Sequence, residues 1–384
     1  MKQKMIIIVM LIIAFYEFSN PITVYASNTS KPSKSQKMLF EGEKGGYAVY
    51  RIPGMVTTKR GTMITYVEAR SSESDWAPMD IIMVRSTDSG KTWSKPNVLV
   101  NGLDMGKTVN NPVMIASKDG TIHLLYCVEY GVESKGGGVF YRKSTNDGLN
   151  WSEPIDISAS TNPEYRNAIA TGPGHGIELS NGTLIIPIWL VPKRHEADPS
   201  SHQPSEVSTL YSRDKGLTWN VGEIIPADQE LTSPNESTVV ELSDGSIMIN
   251  MRNTSTKKQR AVSVSTNGYS NWSKPIFDKT LTDPGCFGSL IRYDENTILF
   301  VNAQSNTIRK NITIKVSYDD GKTWSIKRLV HSGKGAYSEL SVDKNGMIHV
   351  LVETAPSKSI IHYSFPLSWV EYNASKLKSL DISV

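Results

Sequence analysis

The sequence predicts an all-β fold built from one repeated sheet unit, on three observations. An eight-residue turn recurs along the chain, reading Ser86-Thr-Asp88-Ser-Gly90-Lys-Thr92-Trp93, Ser212 to Trp219 and Ser317 to Trp324, with weaker copies at Ser144–Trp151 and Ser265–Trp272. The closing tryptophans are spaced by 58, 68, 53 and 52 residues, about the length of a four-stranded propeller blade with its loops. Between the copies, short apolar runs alternate with turn signals, and no stretch carries a convincing 3.6-residue apolar period of helical length. Five recognisable turns plus one unit without a clear copy point to a six-bladed β-propeller; counting alone leaves four, five or seven open.

Each position of the turn has a physical job. The Ser and Asp side chains can accept backbone N–H groups a residue or two on and hold the turn locally. The Gly takes positive φ at little steric cost. The Trp supplies a large apolar ring with one polar N–H, suited to sealing a seam between packed sheets. In the Ser144 copy Asn146 replaces the Asp, and the Ser265 copy has Tyr269 where the others have Gly. These turns read as structural staples, so their Asp residues are not catalytic candidates. Ser117–Gly120, Ser180–Gly182, Ser243–Gly245 and Asp343–Gly346 each separate two β-rich runs, as hairpins require.

The 384 residues carry a formal charge of +3, with 21% charged residues of mixed sign, which suggests neither disorder nor a nucleic-acid surface. Lys2 and Lys4 precede the apolar run Met5–Phe15, and Val24-Tyr25-Ala26 offers a small-residue cleavage site. Residues 1–26 therefore read as a signal peptide too short to span a bilayer, with an uncleaved anchor as the alternative. Residues 27–37 read as a disordered lead and 38–384 as the propeller. The mature chain is expected to be secreted or periplasmic, soluble, without membrane insertion, and a monomer. Cys127 and Cys286 fall in different repeat units and read as buried free thiols. Lys193–Glu206 is almost wholly polar and reads as an exposed loop. Nothing resembles a metal site or a phosphate loop, and no cofactor is expected.

Ahead of the first turn stands Tyr50-Arg51-Ile52-Pro53-Gly54, and after the next strand Ala69-Arg70. Taken bare, an arginine beside a proline is unremarkable. An Arg-Ile-Pro motif ahead of such turns, known as Asp boxes, resembles the sialidase (neuraminidase) family of glycoside hydrolases, and the likeness runs from about Met38 to Glu353. The resemblance implies three arginines that bind the carboxylate of sialic acid: Arg51; Arg252, after the segment Asn235-Glu236-Ser237; and Arg309, ahead of the last box. A planar guanidinium presents paired donors matching a carboxylate and stays charged at any working pH. Three of them repel one another, so the empty site needs an anion, and Glu353 fits the place of the family's Glu against the first Arg.

The same resemblance implies a tyrosine nucleophile in Gly335-Ala336-Tyr337-Ser338-Glu339-Leu340, where the family has Asp in place of Glu339. A phenol is a weak nucleophile at its ordinary pKa of about 10 and needs a base in contact, which the resemblance assigns to Glu236. Sialic acid carries its own carboxylate at the anomeric carbon, so a neutral phenol is repelled less than a second carboxylate. The two-carboxylate scheme of glycosidases has this recognised exception. The acid/base is expected to be Asp75, on the loop after Arg70, with Glu73 and Asp80 as neighbours that could be mistaken for it. Arg70 is expected to contact the sugar's carboxylate side or ring substituents. Asn111, Glu164–Arg166, His175, Trp76 and Trp189 are weaker candidates for the mouth, His175 reading more as a structural residue. The expected activity is hydrolysis of terminal α-linked sialic acid from glycoconjugates with retention. Trans-sialidase and a non-catalytic glycan-binding propeller are the competing readings.

Overall fold

The computed structural model describes residues 31–128, 138–160, 168–192, 203–355 and 358–372. The signal-peptide reading, residues Glu164–Arg166 and most of the polar stretch 193–206 lie outside these. Within the described residues no helix is long and apolar enough to cross a membrane.

Strand β1 (Ser35–Phe40) leads in. An antiparallel meander follows: β2 (Val49–Thr57), β3 (Met63–Arg70), β4 (Met79–Ser86) and β5 (Asn97–Val100). The next sheet runs β6 (Val109–Ala116), β7 (Ile122–Val128), β8 (Gly138–Ser144), β9 (Ile155–Asp156). The third combines β10 (Ala168–Thr171), β13 (Leu184–Val191), β14 (Glu206–Ser212) and β15 (Asn220–Val221). Of the two short strands between β10 and β13, β11 (Gly174–His175) crosses over to pair in parallel with β6, while β12 (Ile177–Glu178) pairs β13. The fourth is β16 (Ser237–Glu241), β17 (Ile247–Met251), β18 (Gln259–Ser265) and β19 (Ile276–Thr282). The last sheet has seven strands and joins two meanders through one long strand. β20 (Ser289–Asp294), β21 (Thr297–Ala303) and β22 (Lys310–Ser317) pair in sequence up to the first half of β23 (Ile326–Val342). The second half of β23 pairs β24 (Met347–Thr354), then β25 (Ile360–Pro366), and β1 closes that edge.

Strand β1 corrects one expectation, because Ser35–Lys37 were read as part of a disordered lead. Their side chains are exposed and carry no apolar alternation. What orders them is the open backbone edge of β25, against which Ser35 pairs Ser364 and Met38 pairs Ile361; a ladder needs no apolar side chain to form, and covering the edge removes a site for unwanted pairing.

All five recurring turns lie between the third and fourth strands of their meanders. In the best copies the Ser hydroxyl accepts the Gly N–H (Ser317 to Gly321, 2.8 Å). The Asp carboxylate takes both the N–H and the hydroxyl of the Thr (Asp319 to Thr323, 2.8 and 2.6 Å). Ser86–Trp93 and Ser212–Trp219 repeat this geometry. The Ser265 copy has not lost its glycine: Gly268, one residue earlier than expected, holds φ 82° and donates to Ser265 Oγ at 3.0 Å. A box glycine also marks where one sheet touches the next. A Cβ on Gly148 would stand 2.6 Å from Ile64 of β3, one on Gly216 2.6 Å from Tyr141 of β8, and one on Gly321 2.7 Å from Met248 of β17. For Gly90, in the earliest box, the neighbour is His362 of β25, at 2.7 Å. Trp219, Trp272 and Trp324 are buried in the same seams, and truncating any of them to Ala is expected to cost about 3–5 kcal/mol.

Two seam histidines make the fold sensitive to acid. His123 bonds Tyr141 Oη at 2.8 Å, and His362 bonds His349 at 2.9 Å with its ring edge-on to Trp93. Burial holds the His123 pKa down to about 4; burial, with His349 beside it, holds His362 down to about 3. Unfolded, both rings titrate near 6.5. Between those values the unfolded chain binds protons that the fold does not, so the stability present above pH 6.5 is lost as pH falls. Each ring contributes a slope of about 1.4 kcal/mol per pH unit. Urea unfolding of wild type against His362→Gln is expected to show wild type losing stability faster from pH 6.5 to 4; parallel profiles would contradict this.

Candidate active site

Strands β2, β6 and β23 each bulge, and each bulge re-aims a side chain. On β2 the register slips between Arg51 and Gly54, with Ile52 at φ 53°. A β-branched residue there is a true backbone outlier. On β6 the slip lies between Asn110 and Val113, with Asn111 at φ 52°. On β23 it lies between Gly335 and Ser338, around Tyr337. These segments, with the residues just before β16 and just after β17 and the β21–β22 connection, line a polar cavity of about 180 Å³. Arg51, Arg70, Asp75, Glu236, Arg252, Arg309 and Tyr337 all face it. The volume is below the roughly 300–1,000 Å³ of pockets for drug-sized molecules, and suits one polar ring rather than a chain.

At its floor lies Tyr337, buried, with its hydroxyl donating to Glu236 Oε1 at 2.5 Å. Arg252 donates through Nη1 to the other Glu236 oxygen and to Tyr337 Oη, the latter at 2.9 Å. The backbone enforces this: the Asn235 and Arg252 N–H groups bond the Arg252 and Glu236 carbonyls, extending the β16–β17 ladder past its ends. Burial, reinforced by the Glu236 charge, pushes the Tyr337 phenol above its usual pKa, against the pull of three arginines. At neutral pH the phenol keeps its proton and has a carboxylate in place to receive it.

Arg51 and Arg309 stand on the faces of the same ring, their guanidinium carbons 5.5 and 5.4 Å from its centroid. Arg51 donates through Nε to Glu353 at 2.9 Å and through Nη1 to Asp75 at 3.0 Å. Arg70 donates to the same Asp75 oxygen at 2.5 Å, and its Nε and Nη2 grip the fully buried Glu68. Burial pushes the Glu68 carboxyl up while Arg70 pulls it down. Arg309 differs from the others: its guanidinium hydrogen bond among the described residues goes to a carbonyl, Gly285 O, at 3.1 Å. Asp75 is half-exposed on its loop and bridges two arginines. Like charges about 6 Å apart repel by about 3 kcal/mol at an effective dielectric of about 20, and Asp75 and Glu353 offset part of that repulsion.

A family model described as the BNR repeat-like domain matches residues 103–350, more than half of the chain. The chain belongs to the BNR repeat-like domain family. Among curated proteins, the sialidase of Micromonospora viridifaciens is 28% identical over 370 residues, covering 88% of this chain and 55% of its own length. The sialidase of Bacteroides fragilis (strain YCH46) is 28% identical over 352 residues, covering 83% and 61%. The chain thus spans a little over half the length of these two relatives. Among solved structures, the Hadza microbial sialidase Hz136 superposes with a TM-score of 0.78 at 26% identity, over 87% of this chain and 69% of that one.

Around the cavity of this BNR repeat-like chain, Trp76, Trp189 and Asn111 line the wall, as do Asn110 and Gln203, which the sequence did not single out. The only signal for Asn110 was its place in the Asn-Asn-Pro run, beside the Asn that takes positive φ. Glu73 is exposed on the loop, whereas Asp80 is buried in β4 and accepts the Gly102 and Leu103 N–H groups and the Tyr47 hydroxyl, a structural role. His175 does not line this cavity; its Nδ1 bonds the fully buried Glu339. Cys127 and Cys286 are free and buried. Glu68 was missed altogether, because alternation along β3 marks it only as one more inward residue.

Proposed function

We propose that this chain is an exo-α-sialidase that removes terminal α-linked sialic acid from glycoconjugates with retention of configuration. The observation that carries the reading is the Tyr337 hydroxyl, 2.5 Å from Glu236 and flanked by Arg51, Arg252 and Arg309. In this mechanism the three guanidiniums take the substrate carboxylate, which displaces Asp75 from Arg51 and frees it to move. Tyr337 Oη attacks the anomeric carbon while its proton passes to Glu236. Once displaced, Asp75 takes up a proton from solvent, and the bond to the leaving oxygen breaks as Asp75 passes that proton to it. In the second step Asp75 takes a proton from water, the water oxygen bonds to the anomeric carbon, and Tyr337 leaves and regains its proton from Glu236.

The scaffold in this reading is a six-bladed propeller: four separate sheets and the two meanders that share β23. The inner strands support it, since β2 touches β6, β6 touches β10, β13 touches β16, β16 touches β20, β20 touches β23, and β23 returns to β2. The leader through Ala26 supports export of the mature protein.

The test is hydrolysis of a natural sialylated glycan and of an aryl sialoside by wild type and Asp75→Ala. General acid catalysis contributes about 10²–10⁴-fold, and an aryl leaving group needs little protonation. Asp75→Ala is therefore expected to lose at least about 100-fold on the glycan and far less on the aryl sialoside. Equal losses on both would remove Asp75 from the acid role. Free sialic acid as product supports hydrolysis, and an anhydro or transferred sugar would favour transfer.

A further inference from the structure

Behind the cavity wall lies a second set of charges that the proposed mechanism does not use. Arg260 of β18 is fully buried, as is Asn250, and Asp283 is nearly so. The Arg260 guanidinium binds two chain segments at once, β17 at Asn250 and the turn Asp283–Cys286. Its Nε donates to Asn250 Oδ1 at 2.6 Å and its Nη2 to Asn250 O at 3.0 Å. Its Nη1 donates to Cys286 O at 2.9 Å and lies 3.6 Å from Asp283 Oδ2. Asp283 in turn organises the turn that follows it: Oδ1 accepts the N–H groups of Gly285 at 2.7 Å and Cys286 at 2.9 Å. Asn302 donates to its other oxygen at 3.1 Å and receives the fully buried Lys315 ammonium at 2.5 Å.

Two of these anchor points lead directly to site arginines. Asn250 is two residues before Arg252 on the same extended strand. Gly285 O is the acceptor that holds Arg309 Nη2 at 3.1 Å. We infer that Arg260 and Asp283 are positioning residues that set the separation of Arg252 and Arg309, and hence the fit of the carboxylate clasp; this rests on the sialidase reading above. A buried ion pair is a weak source of stability, since well-packed apolar residues of similar volume do as well or better. Its geometry is another matter. A rigid planar fork with five donors fixes the distance between the segments it joins, which a single flexible apolar side chain cannot do. Arg309 has most need of such a fixture, because no carboxylate among the described residues bonds its guanidinium.

Loss of positioning should weaken ground-state and transition-state binding alike, raising KM with little change in kcat. The experiment measures kcat, KM, sialic acid affinity by calorimetry and Tm for wild type, Asp283→Ala, Asp283→Asn and Arg260→Lys. Asp147→Ala is the control: Asp147 is a buried carboxylate that accepts Thr58, Thr62 and Arg85 at the opposite end of β2 from Arg51. Asp283→Ala is expected to raise KM and weaken sialic acid binding by at least about tenfold, with kcat within about threefold. Asp283→Asn keeps the Oδ1 acceptor and is expected to return KM to within about threefold of wild type. Arg260→Lys keeps the charge but not the fork, and its KM is expected to rise about tenfold, a reading that stands if Asp283→Ala does not fold. Asp147→Ala is expected to lower Tm and leave KM unchanged. If Asp283→Ala and Arg260→Lys lose only Tm, as the control does, the positioning role is overturned while the sialidase reading stands. If wild type neither binds sialic acid nor cleaves sialosides, both fall together.

Discussion

Replacing Tyr337 by phenylalanine is expected to lower kcat on an α-linked sialoside by at least about 1,000-fold, about 4 kcal/mol of barrier, while the protein stays folded. The hydroxyl lost is the atom proposed to bond the anomeric carbon, and no other nucleophilic oxygen of the site is held by both a carboxylate and a guanidinium. The ring remains, and with it the tilted contact to Phe287 at 5.8 Å and the cations on its faces. Glu236 keeps Arg252 as partner, so no buried charge is orphaned and stability should change by no more than about 1 kcal/mol. Substrate binding should persist. Initial rates with calorimetric binding of sialic acid check this, and a Tyr337→Phe enzyme within tenfold of wild type would exclude the covalent role.

The second large effect is expected at Arg309. Its guanidinium is anchored on a backbone carbonyl rather than a carboxylate, so Arg309→Ala removes a cation proposed to bind the substrate carboxylate without stranding an anion. A charge-assisted hydrogen bond contributes about 1.5–3 kcal/mol, which corresponds to a loss of roughly 10- to 150-fold in kcat/KM, with Tm nearly unchanged. Arg252→Ala is the instructive contrast. It strips the cation from the buried Glu236, and breaking a buried pair in this way costs about 3–5 kcal/mol of stability. Kinetics and thermal melts on both variants separate the two cases. A large melting loss at Arg309 would mean that its role is structural.

The legible features in the sequence are those written locally. A turn that caps its own backbone shows in eight residues, so the boxes could be read directly. The three arginines, Glu236 and Tyr337 stood out only through strings that resemble those of the sialidase family. Features set by distant partners did not show. Ser35–Lys37 look like polar lead because their order comes from the edge of β25. The glycine of the Ser265 turn was read as lost to Tyr269 because Asn267 and Gly268 build a shorter version of the same loop. Asp75 could be assigned to its loop, but its double pairing with Arg51 and Arg70 arises only when β2 and β3 lie side by side. Nothing in the local sequence marks Arg260 and Asp283; only the fold shows that they are buried.

The central claim is that a phenol, not a carboxylate, bonds the sugar. A sialosyl fluoride bearing a second fluorine at carbon 3 slows the release of any covalent intermediate, and digestion with mass spectrometry then finds the attachment site. One sialyl adduct per chain is expected, on the peptide containing Tyr337, absent from Tyr337→Phe and lost on prolonged incubation as activity returns. An adduct on Glu236, Asp75 or Glu353, or an active enzyme that never forms one, would contradict it.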